Sequence, residues 1–297
     1  MIRRLAQLAL MLAGALALAS CQKQAQPDGS ETGASPILYQ VSDASGAVRG
    51  WLFGTIHSLP DGTKWRTPQL NKAIDEAGLL VVEIKDLDDN AALRKVFATL
   101  AITPDQPDIA QRIPASDRPA LFDLIHRSSF KASDFKDIET WAAALMLAQV
   151  DDTGNAANGA DRALLHDFAG RDVVELEGTE RQLGIFDTLP EIEQADLLLG
   201  VLEESKRRSQ DPDLLRKAWL AGDAEAIEQA AREGILADPE LRAALLVNRN
   251  RAWVEQLDPM LQSGQRPLVA VGTAHLLGDD GLPAMLEMRD YTLTRLQ

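Results

Sequence analysis

Apolar residues follow two distinct spacings along the chain. Short runs rich in β-favouring residues predict six strands, at residues 37–41, 48–53, 79–84, 173–176, 268–271 and 291–296. Between these runs, apolar residues recur every three or four positions. That spacing predicts amphipathic helices at residues 67–77, 90–100, 116–127, 138–150 and 159–168. The chain therefore combines a few strands with many helices.

The stretch from residue 190 to residue 257 has the helical spacing almost throughout. Asp211-Pro212 and Asp238-Pro239 interrupt it, at places where a proline fits the first turn of a new helix. No fixed-period repeat is visible. These patterns predict an α/β fold, with a mixed central sheet built from N- and C-terminal strands and a large helical middle region packed over it.

The first residues have the pattern of a secretory signal. Arg3 and Arg4 precede an uncharged apolar run over residues 5–18, which is too short to span a bilayer as a mature helix. Residues 18–21 read Leu-Ala-Ser-Cys and resemble the lipobox of bacterial lipoproteins, in which the cysteine becomes the acylated first residue. We expect residues 1–20 to be a lipoprotein signal peptide and Cys21 to carry the lipid.

The composition changes after this segment. Residues 21–36 are rich in Gln, Gly, Ser, Pro and Ala and bury too little apolar surface to order themselves, which predicts a flexible tether before a folded domain over 37–297. Cys21 is the single cysteine of the chain, so an internal disulfide is excluded. By resemblance to enteric lipoproteins, Gln22 after the cysteine favours the outer membrane of the bacterial envelope, with the domain facing the periplasm.

Composition and charge narrow the expected partners. The chain has 297 residues, of which 45% are hydrophobic and 25% charged, as in ordinary globular proteins. Its 45 acidic and 30 basic residues give a net charge of -15, the wrong sign for binding a polyanion. Nucleic acid is therefore not an expected partner, whereas the membrane is one through the lipid anchor.

Two of the four histidines stand in nearly the same phrase. Residues 51–57 read Trp-Leu-Phe-Gly-Thr-Ile-His and residues 269–275 read Val-Ala-Val-Gly-Thr-Ala-His, so Gly-Thr-x-His ends both. Glycine lets the chain turn sharply as it leaves a strand, and open α/β sheets bind their ligands at the carboxyl ends of strands. A single histidine after a strand is more often a structural residue. The duplicated phrase favours a functional site at the sheet rim formed by His57 and His275.

Carboxylates occur at two further strand ends. Glu83 lies near the end of strand 79–84, and Glu175 and Glu177 flank the end of strand 173–176. Two imidazoles with one or two carboxylates make a divalent metal site of nitrogen and oxygen ligands that leaves a position open for water. The alternative for Glu83 is a solvated residue at a strand edge. Strand alternation alone does not decide between Glu175 and Glu177.

A polar phrase late in the helical stretch supplies a further candidate. Residues 245–253 read Leu-Leu-Val-Asn-Arg-Asn-Arg-Ala-Trp. One interpretation is that Arg249 reaches the site and stabilises an anionic substrate or a tetrahedral intermediate through charge-assisted hydrogen bonds. The other is a solvated helix face beside a buried Trp253. His126 and His166 have charged helical neighbours, which predicts surface positions for both.

Several other chemistries lack their motifs. The sequence contains no Gly-x-Ser-x-Gly, no His-Glu-x-x-His, no P-loop and no Gly-x-Gly-x-x-Gly. The single cysteine is assigned to the lipid anchor, which leaves no thiol for nucleophilic catalysis. A serine or cysteine hydrolase and a nucleotide-dependent enzyme are therefore not expected.

Six phrases in one order resemble the TraB/GumN family, whose relatives include the Tiki metalloproteases and, more distantly, the ChaN and erythromycin-esterase-like proteins. They cover nearly the whole folded part and read WLFGTIHSLP, LLVVEI, ETWAAALML, NGADRALLHDFAGRDVVELEGTERQL, LLVNRNRAW and LVAVGTAHLLGDDGLPAMLEMRDYTLTRL. The resemblance implies that His57 and His275 end the family's two Gly-x-x-His motifs. It implies that Glu83 is the strand-end glutamate and Arg249 the family's arginine, and it favours Glu177 as a further site residue.

The resemblance to the Tiki proteins implies a metal-dependent hydrolase of the peptidase type. His57, Glu83 and His275 would hold a manganese, cobalt or zinc ion, Glu177 would ligate the ion or act as general base, and Arg249 would polarise the carbonyl. A peptide or a polysaccharide is the expected substrate. A lipoprotein that binds haem, a metal or a polysaccharide without turnover is the alternative. A third is an envelope interaction protein whose working surface is the helical middle region.

Overall fold

A computed structural model describes residues 33–297. Its strands are β1 (Leu38–Ser42), β2 (Val48–Thr55), β3 (Leu79–Val82), β4 (Asp172–Glu175), β5 (Pro267–Gly272) and β6 (Thr292–Arg295). They form one mixed sheet in the order β4-β3-β5-β2-β1-β6. Strands β4, β3, β5 and β2 run parallel, and the pairings of β1 with β2 and with β6 are antiparallel. The six predicted strands and the mixed sheet are confirmed.

Helices occupy most of the chain between β2 and β5. They are α1 (Pro68–Glu76), α2 (Asn90–Leu100), α3 (Arg118–Arg127), α4 (Thr140–Ala148), α5 (Ala160–Asp167), α6 (Thr179–Asp187), α7 (Glu191–Gln210), α8 (Leu214–Ala221), α9 (Ala224–Glu233), α10 (Pro239–Arg242) and α11 (Asn248–Gln262), with α12 (Leu282–Glu287) between β5 and β6. A π-helical turn, Ala243–Val247, connects α10 to α11. The predicted α/β fold with a helical middle is confirmed, although the apolar spacing did not predict α6 or α12.

Local sequence signals set several of the helix ends. Thr67 caps α1 by accepting a hydrogen bond from Leu70 N at 3.1 Å, and Pro68 takes the first helical position. Asp238 caps α10 in the same way, with Pro239 in its first turn, as the sequence predicts. Pro212 instead lies in the link between α7 and α8, so this proline marks a turn rather than a helix start.

Two hydrophobic cores lie on either side of one long helical segment. The sheet core surrounds β2, β3 and β5. The helical core is built mainly from α3, α4 and α7. The segment from α10 to α11 joins them, because Leu245 packs in the helical core and Trp253 packs in the sheet core. The residues between Leu245 and Trp253 therefore lie where the two cores meet.

The predicted N-terminal features are not part of this structure. Residues 1–20, Cys21 and most of the predicted tether over 21–36 lie outside the described residues. Within residues 33–297, no helix has the length and apolar character needed to cross a membrane.

Four acidic side chains crowd together where α7 passes the start of α10. One ligand-type oxygen from each of Glu193, Asp238 and Glu240 lies within 4.8 Å of the others, and Asp196 is close by. Burial and repulsion by these neighbours raise the pKa of Glu193. An acid whose pKa is raised in the folded state lowers the free energy of unfolding once it ionises. The cluster therefore destabilises the protein at neutral pH.

Replacing Glu193 with Gln is expected to raise the melting temperature at pH 8 by about 2 °C. The gain should shrink as the pH falls from the raised pKa of Glu193 towards the ordinary glutamate value, and it should vanish below that value, where the wild-type carboxyl is protonated in both the folded and the unfolded states. Thermal unfolding at several pH values measures this. Glu191→Gln is the matched control, since Glu191 is exposed in the same first turn of α7. Equal gains in both variants would contradict the prediction.

Candidate functional site

Three parallel strands bring the predicted ligands to one edge of the sheet. His57 follows β2, Glu83 directly follows β3, and His275 lies three residues after Gly272, the last residue of β5. A Cβ placed on Gly272 would be 3.4 Å from Glu83 Oε1, 3.8 Å from His275 Cδ2 and 3.9 Å from His57 Nε2. The three side chains therefore surround one small space, which the missing side chain of Gly272 leaves open.

The two Gly-Thr-x-His phrases are not equivalent in the sheet. Gly54 lies opposite Val271 in the parallel pairing of β2 with β5, and Thr55 lies opposite Gly272, so the phrases are offset by one residue. Thr273 Oγ1 connects the two phrases by donating a hydrogen bond to Thr55 O at 2.9 Å. After the strands end, the His57 side chain is 74% exposed, whereas His275 is only 5% exposed. The duplicated sequence thus places its two rings at different depths.

The more exposed ring is held by a carboxylate from α5. His57 Nδ1 is 2.8 Å from Asp161 Oδ2, and Asp161 is itself buried. The charge of Asp161 raises the pKa of His57 to about 9. Its Nε2 faces the space beside Gly272, and the ring would have to lose a proton there in order to ligate a metal.

The buried ring is held by an amide from α11. Asn250 is completely buried, and its Oδ1 lies 2.6 Å from His275 Nδ1 while its Nδ2 donates to Asp280 O at 2.8 Å. Because Oδ1 only accepts, Nδ1 of the ring carries the hydrogen and Nε2 keeps its lone pair. Burial lowers the pKa of His275 to about 3, which keeps the ring neutral. Neutral imidazole is the form that ligates metals.

Arg249 is the central cation of the site. Its Nη2 donates to Glu83 Oε2 at 2.6 Å and to Glu177 Oε2 at 2.8 Å, and its Nε donates to Glu177 Oε1 at 3.0 Å. Its Nη1 donates to Leu245 O at 3.0 Å and points to His275 Nε2 at 3.3 Å. All five N–H groups of the guanidinium are therefore directed at protein acceptors.

The π-helical turn before α11 helps to place this arginine. Leu245 O lies within that turn, and the side chain of Arg249, two residues after the turn, donates to it. Trp253 packs one turn later against both Arg249 and His275, with its ring centroid 4.3 Å from that of the histidine.

Glu83 has donors on both of its oxygens. Gly272 N donates to Oε1 at 2.8 Å, and Gln182 Nε2 and Arg249 Nη2 donate to Oε2 at 2.8 and 2.6 Å. Burial by itself would raise the pKa of this carboxyl, but its interactions with His275, Arg249 and His57 outweigh burial and lower the pKa to about 2. Glu83 is therefore ionised.

The second carboxylate is Glu177 rather than Glu175. The Glu177 side chain is 3% exposed and accepts from Arg249 and from Trp253 Nε1 at 3.0 Å. Glu175 points away to Lys85, whose backbone N–H and side chain it contacts. The protein donors on Glu177 suit a residue that holds Arg249 in place. Its role as a metal ligand or general base stays a prediction.

The donor set suits a divalent ion, and Arg249 competes for it. Within residues 33–297, the ligand atoms of His57, Glu83 and His275 do not all come within 4.8 Å of one another. Arg249 contacts both His275 Nε2 and Glu83 Oε2. An ion with bonds of about 2 Å would have to take these two atoms over from the guanidinium.

The chain is similar to known proteins over nearly all of the described residues. A model of the TraB/PrgY/gumN family matches residues 37–295. The chain belongs to this family. Similar relatives are the uncharacterized protein YbaP of Escherichia coli (strain K12) and the protein of the same name from Shigella flexneri. Each is 27% identical over 273 residues, covering 84% of this chain and 99% of the relative. No solved structure matches the chain.

In this TraB/PrgY/gumN chain, no sequence pattern predicted the residues that hold the two rings and Glu83. Asp161 and Gln182 occur in one of the phrases that carry the family resemblance, and Asn250 stands next to Arg249. The predicted surface positions of His126 and His166 agree with the structure, where both side chains are solvent-accessible.

Proposed function

We propose that this TraB/PrgY/gumN protein is a metal-dependent hydrolase of the peptidase type. The observation that carries the proposal is the way its two histidines are held. Each ring is fixed through Nδ1, His57 by Asp161 and His275 by Asn250, which leaves Nε2 of each as the ligand nitrogen. Rings fixed in this way beside an ionised glutamate are typical of metal sites rather than of solvated surface residues.

His57, Glu83 and His275 would hold the ion, which we expect to be manganese, cobalt or zinc. A bound ion of this kind activates a water molecule and polarises a carbonyl group of the substrate. Asn250 keeps His275 in the tautomer with a free Nε2. Glu177, which binds Arg249 through both oxygens, would keep the guanidinium in place if His275 and Glu83 held the ion instead. The N–H groups of Arg249 released in this way would be available to donate to a substrate oxygen.

A second candidate is a protein that binds a ligand without turnover. The observation that favours it is the complete engagement of Arg249, which has no N–H group free for a substrate until an ion displaces it. Haem, a metal or a polysaccharide fragment would be the ligand. Haem binding by the histidines would produce a Soret band on titration.

The decisive experiment measures metal binding and hydrolysis on the same purified protein. Metal content after loading with manganese, cobalt or zinc is compared with the cleavage of a quenched fluorescent peptide library, with and without a chelator. We expect one ion to bind at micromolar concentration and to support cleavage. Tight metal binding without cleavage would favour the second candidate. The absence of metal binding would contradict both the hydrolase proposal and a metal as the ligand of the second candidate.

Replacing Gly272 with Ala is expected to abolish metal binding while leaving the fold intact. The backbone of Gly272 has a negative φ of -49°, which alanine adopts freely, and the new Cβ would make only ordinary contacts at 3.4 to 3.9 Å. Its stability should change by less than about 1 kcal/mol. The methyl group would occupy the space among the three ligands. Metal titration together with chemical denaturation checks both parts, with Gly184→Ala as control, because a Cβ there has no atom within 4 Å.

The same proposal places the protein at the envelope membrane through acylated Cys21, with the domain in the periplasm. Cys21→Ala should release it from the membrane fraction, since lipid chains at this residue supply the anchor. Fractionation of cells that express either form measures the difference.

A further inference from the structure

The orientation of the His57 ring must be fixed by a hydrogen-bond partner if His57 is to ligate a metal. Its side chain is 74% exposed, so neighbouring atoms do not fix the ring by packing. The hydrogen-bond partner of the ring among the described residues is Asp161, at 2.8 Å. A ring held by one partner takes its orientation from that partner, so the position of Asp161 decides where Nε2 points.

The segment that carries Asp161 is docked onto the segment that carries His57. Leu59 and Asn155 exchange two backbone hydrogen bonds, Leu59 N to Asn155 O at 3.3 Å and Asn155 N to Leu59 O at 3.0 Å. Ala160 N donates to Ile56 O at 2.9 Å. Gly159 makes this docking possible, because a Cβ there would overlap the carbonyl oxygen of His57.

Helix α5 is also tied to the loop that follows β3. Arg162, the next residue after Asp161, donates from Nη2 to Leu87 O at 2.7 Å and from Nε to Asp88 Oδ1 at 3.1 Å. The start of α5 is therefore fixed to the chain after β2 and to the chain after β3, which carry His57 and Glu83. Asp161 sits between these two attachments, and it is 8% exposed.

We infer that Asp161 is a positioning residue for metal binding: it holds the His57 ring so that Nε2 faces Glu83 and the space beside Gly272. This inference rests on the proposed function. Carboxylates that hold a ligating histidine through its other nitrogen fix both the ring orientation and the tautomer, and their removal lowers metal affinity without removing a ligand.

Metal titration of Asp161 variants tests the inference. Asp161→Ala should weaken binding of cobalt or zinc by about 10- to 100-fold, and Asp161→Asn by less, because the amide oxygen still accepts from Nδ1. The matched control is Asp167→Ala, which removes a carboxylate from the other end of α5, where it pairs with Arg66. Melting temperatures of all variants show whether each protein is folded at the temperature of the titration.

A double-mutant cycle with His57→Ala separates positioning from a general structural role. If Asp161 acts through His57, then Asp161→Ala should have no further effect on metal affinity once His57 is alanine. An equal loss in both backgrounds would overturn the inference, as would wild-type affinity in Asp161→Ala. Wild-type protein that binds none of the ions would overturn the proposed function, and this inference with it.

Discussion

Replacing either His57 or His275 with Ala is expected to weaken metal binding by more than ~100-fold. Loss of an outer-shell partner alone costs about 10- to 100-fold, and loss of a direct bond to the ion should cost more. Equilibrium dialysis with manganese, cobalt and zinc measures the affinities. His126→Ala is the control, since His126 is exposed on α3, and it should bind as wild type does.

Both variants should also lose stability. The His57 side chain is mostly exposed, but its replacement leaves the buried carboxylate of Asp161 without the ring that it binds. His275 is buried, and its loss leaves Asn250 Oδ1 without its donor, which costs about 1–3 kcal/mol. Retention of wild-type metal affinity by both alanine variants would contradict the proposed site.

Replacing Arg249 with Met is expected to destabilise the protein by about 3–5 kcal/mol. The side chains of Glu83 and Glu177 are 11% and 3% exposed, and Arg249 is the cation that both contact. Its removal leaves two buried carboxylates without their main partner. Chemical denaturation at neutral pH measures the change. Arg251→Met is the matched control, because Arg251 is exposed on the same helix and its replacement should cost less than about 0.5 kcal/mol.

The deficit of Arg249→Met should depend on pH in a defined direction. In the wild type, the lowered pKa of Glu83 contributes stability above the ordinary value of 4.5, and that contribution is lost as the pH falls towards about 2. Without the guanidinium, the pKa of Glu83 rises. In the variant, protonation of Glu83 therefore removes the buried negative charge at a higher pH than in the wild type. The gap between variant and wild type should therefore narrow as the pH falls through about 4.5. A gap that stays constant would show that lost packing, not charge, causes the deficit.

The sequence predicted the parts of this protein whose signal is local. All six strands are short apolar runs, and the mixed sheet follows from their positions at both ends of the chain. His57 and His275 were found because each ends a repeated phrase directly after a strand, where parallel topology determines the edge they share. Glu83 was singled out because it follows a neighbouring parallel strand and therefore lies at the same edge.

The parts that the sequence left open depend on contacts between distant segments. The alternation of side chains along a strand did not separate Glu177 from Glu175. In the fold, Glu177 is the carboxylate that contacts Arg249. Asp161 and Asn250 lie in helices with ordinary amphipathic patterns, so nothing local distinguishes them from surface polar residues. Helix α6 was missed although it supplies Gln182, which donates to Glu83.

The one-residue offset between β2 and β5 is accompanied by a difference in depth between the two imidazoles. A molecule that diffuses towards the space beside Gly272 therefore meets the exposed ring of His57 first, and the buried ring of His275, backed by Trp253, forms the inner wall. A ligand would reach the two rings one after the other rather than together.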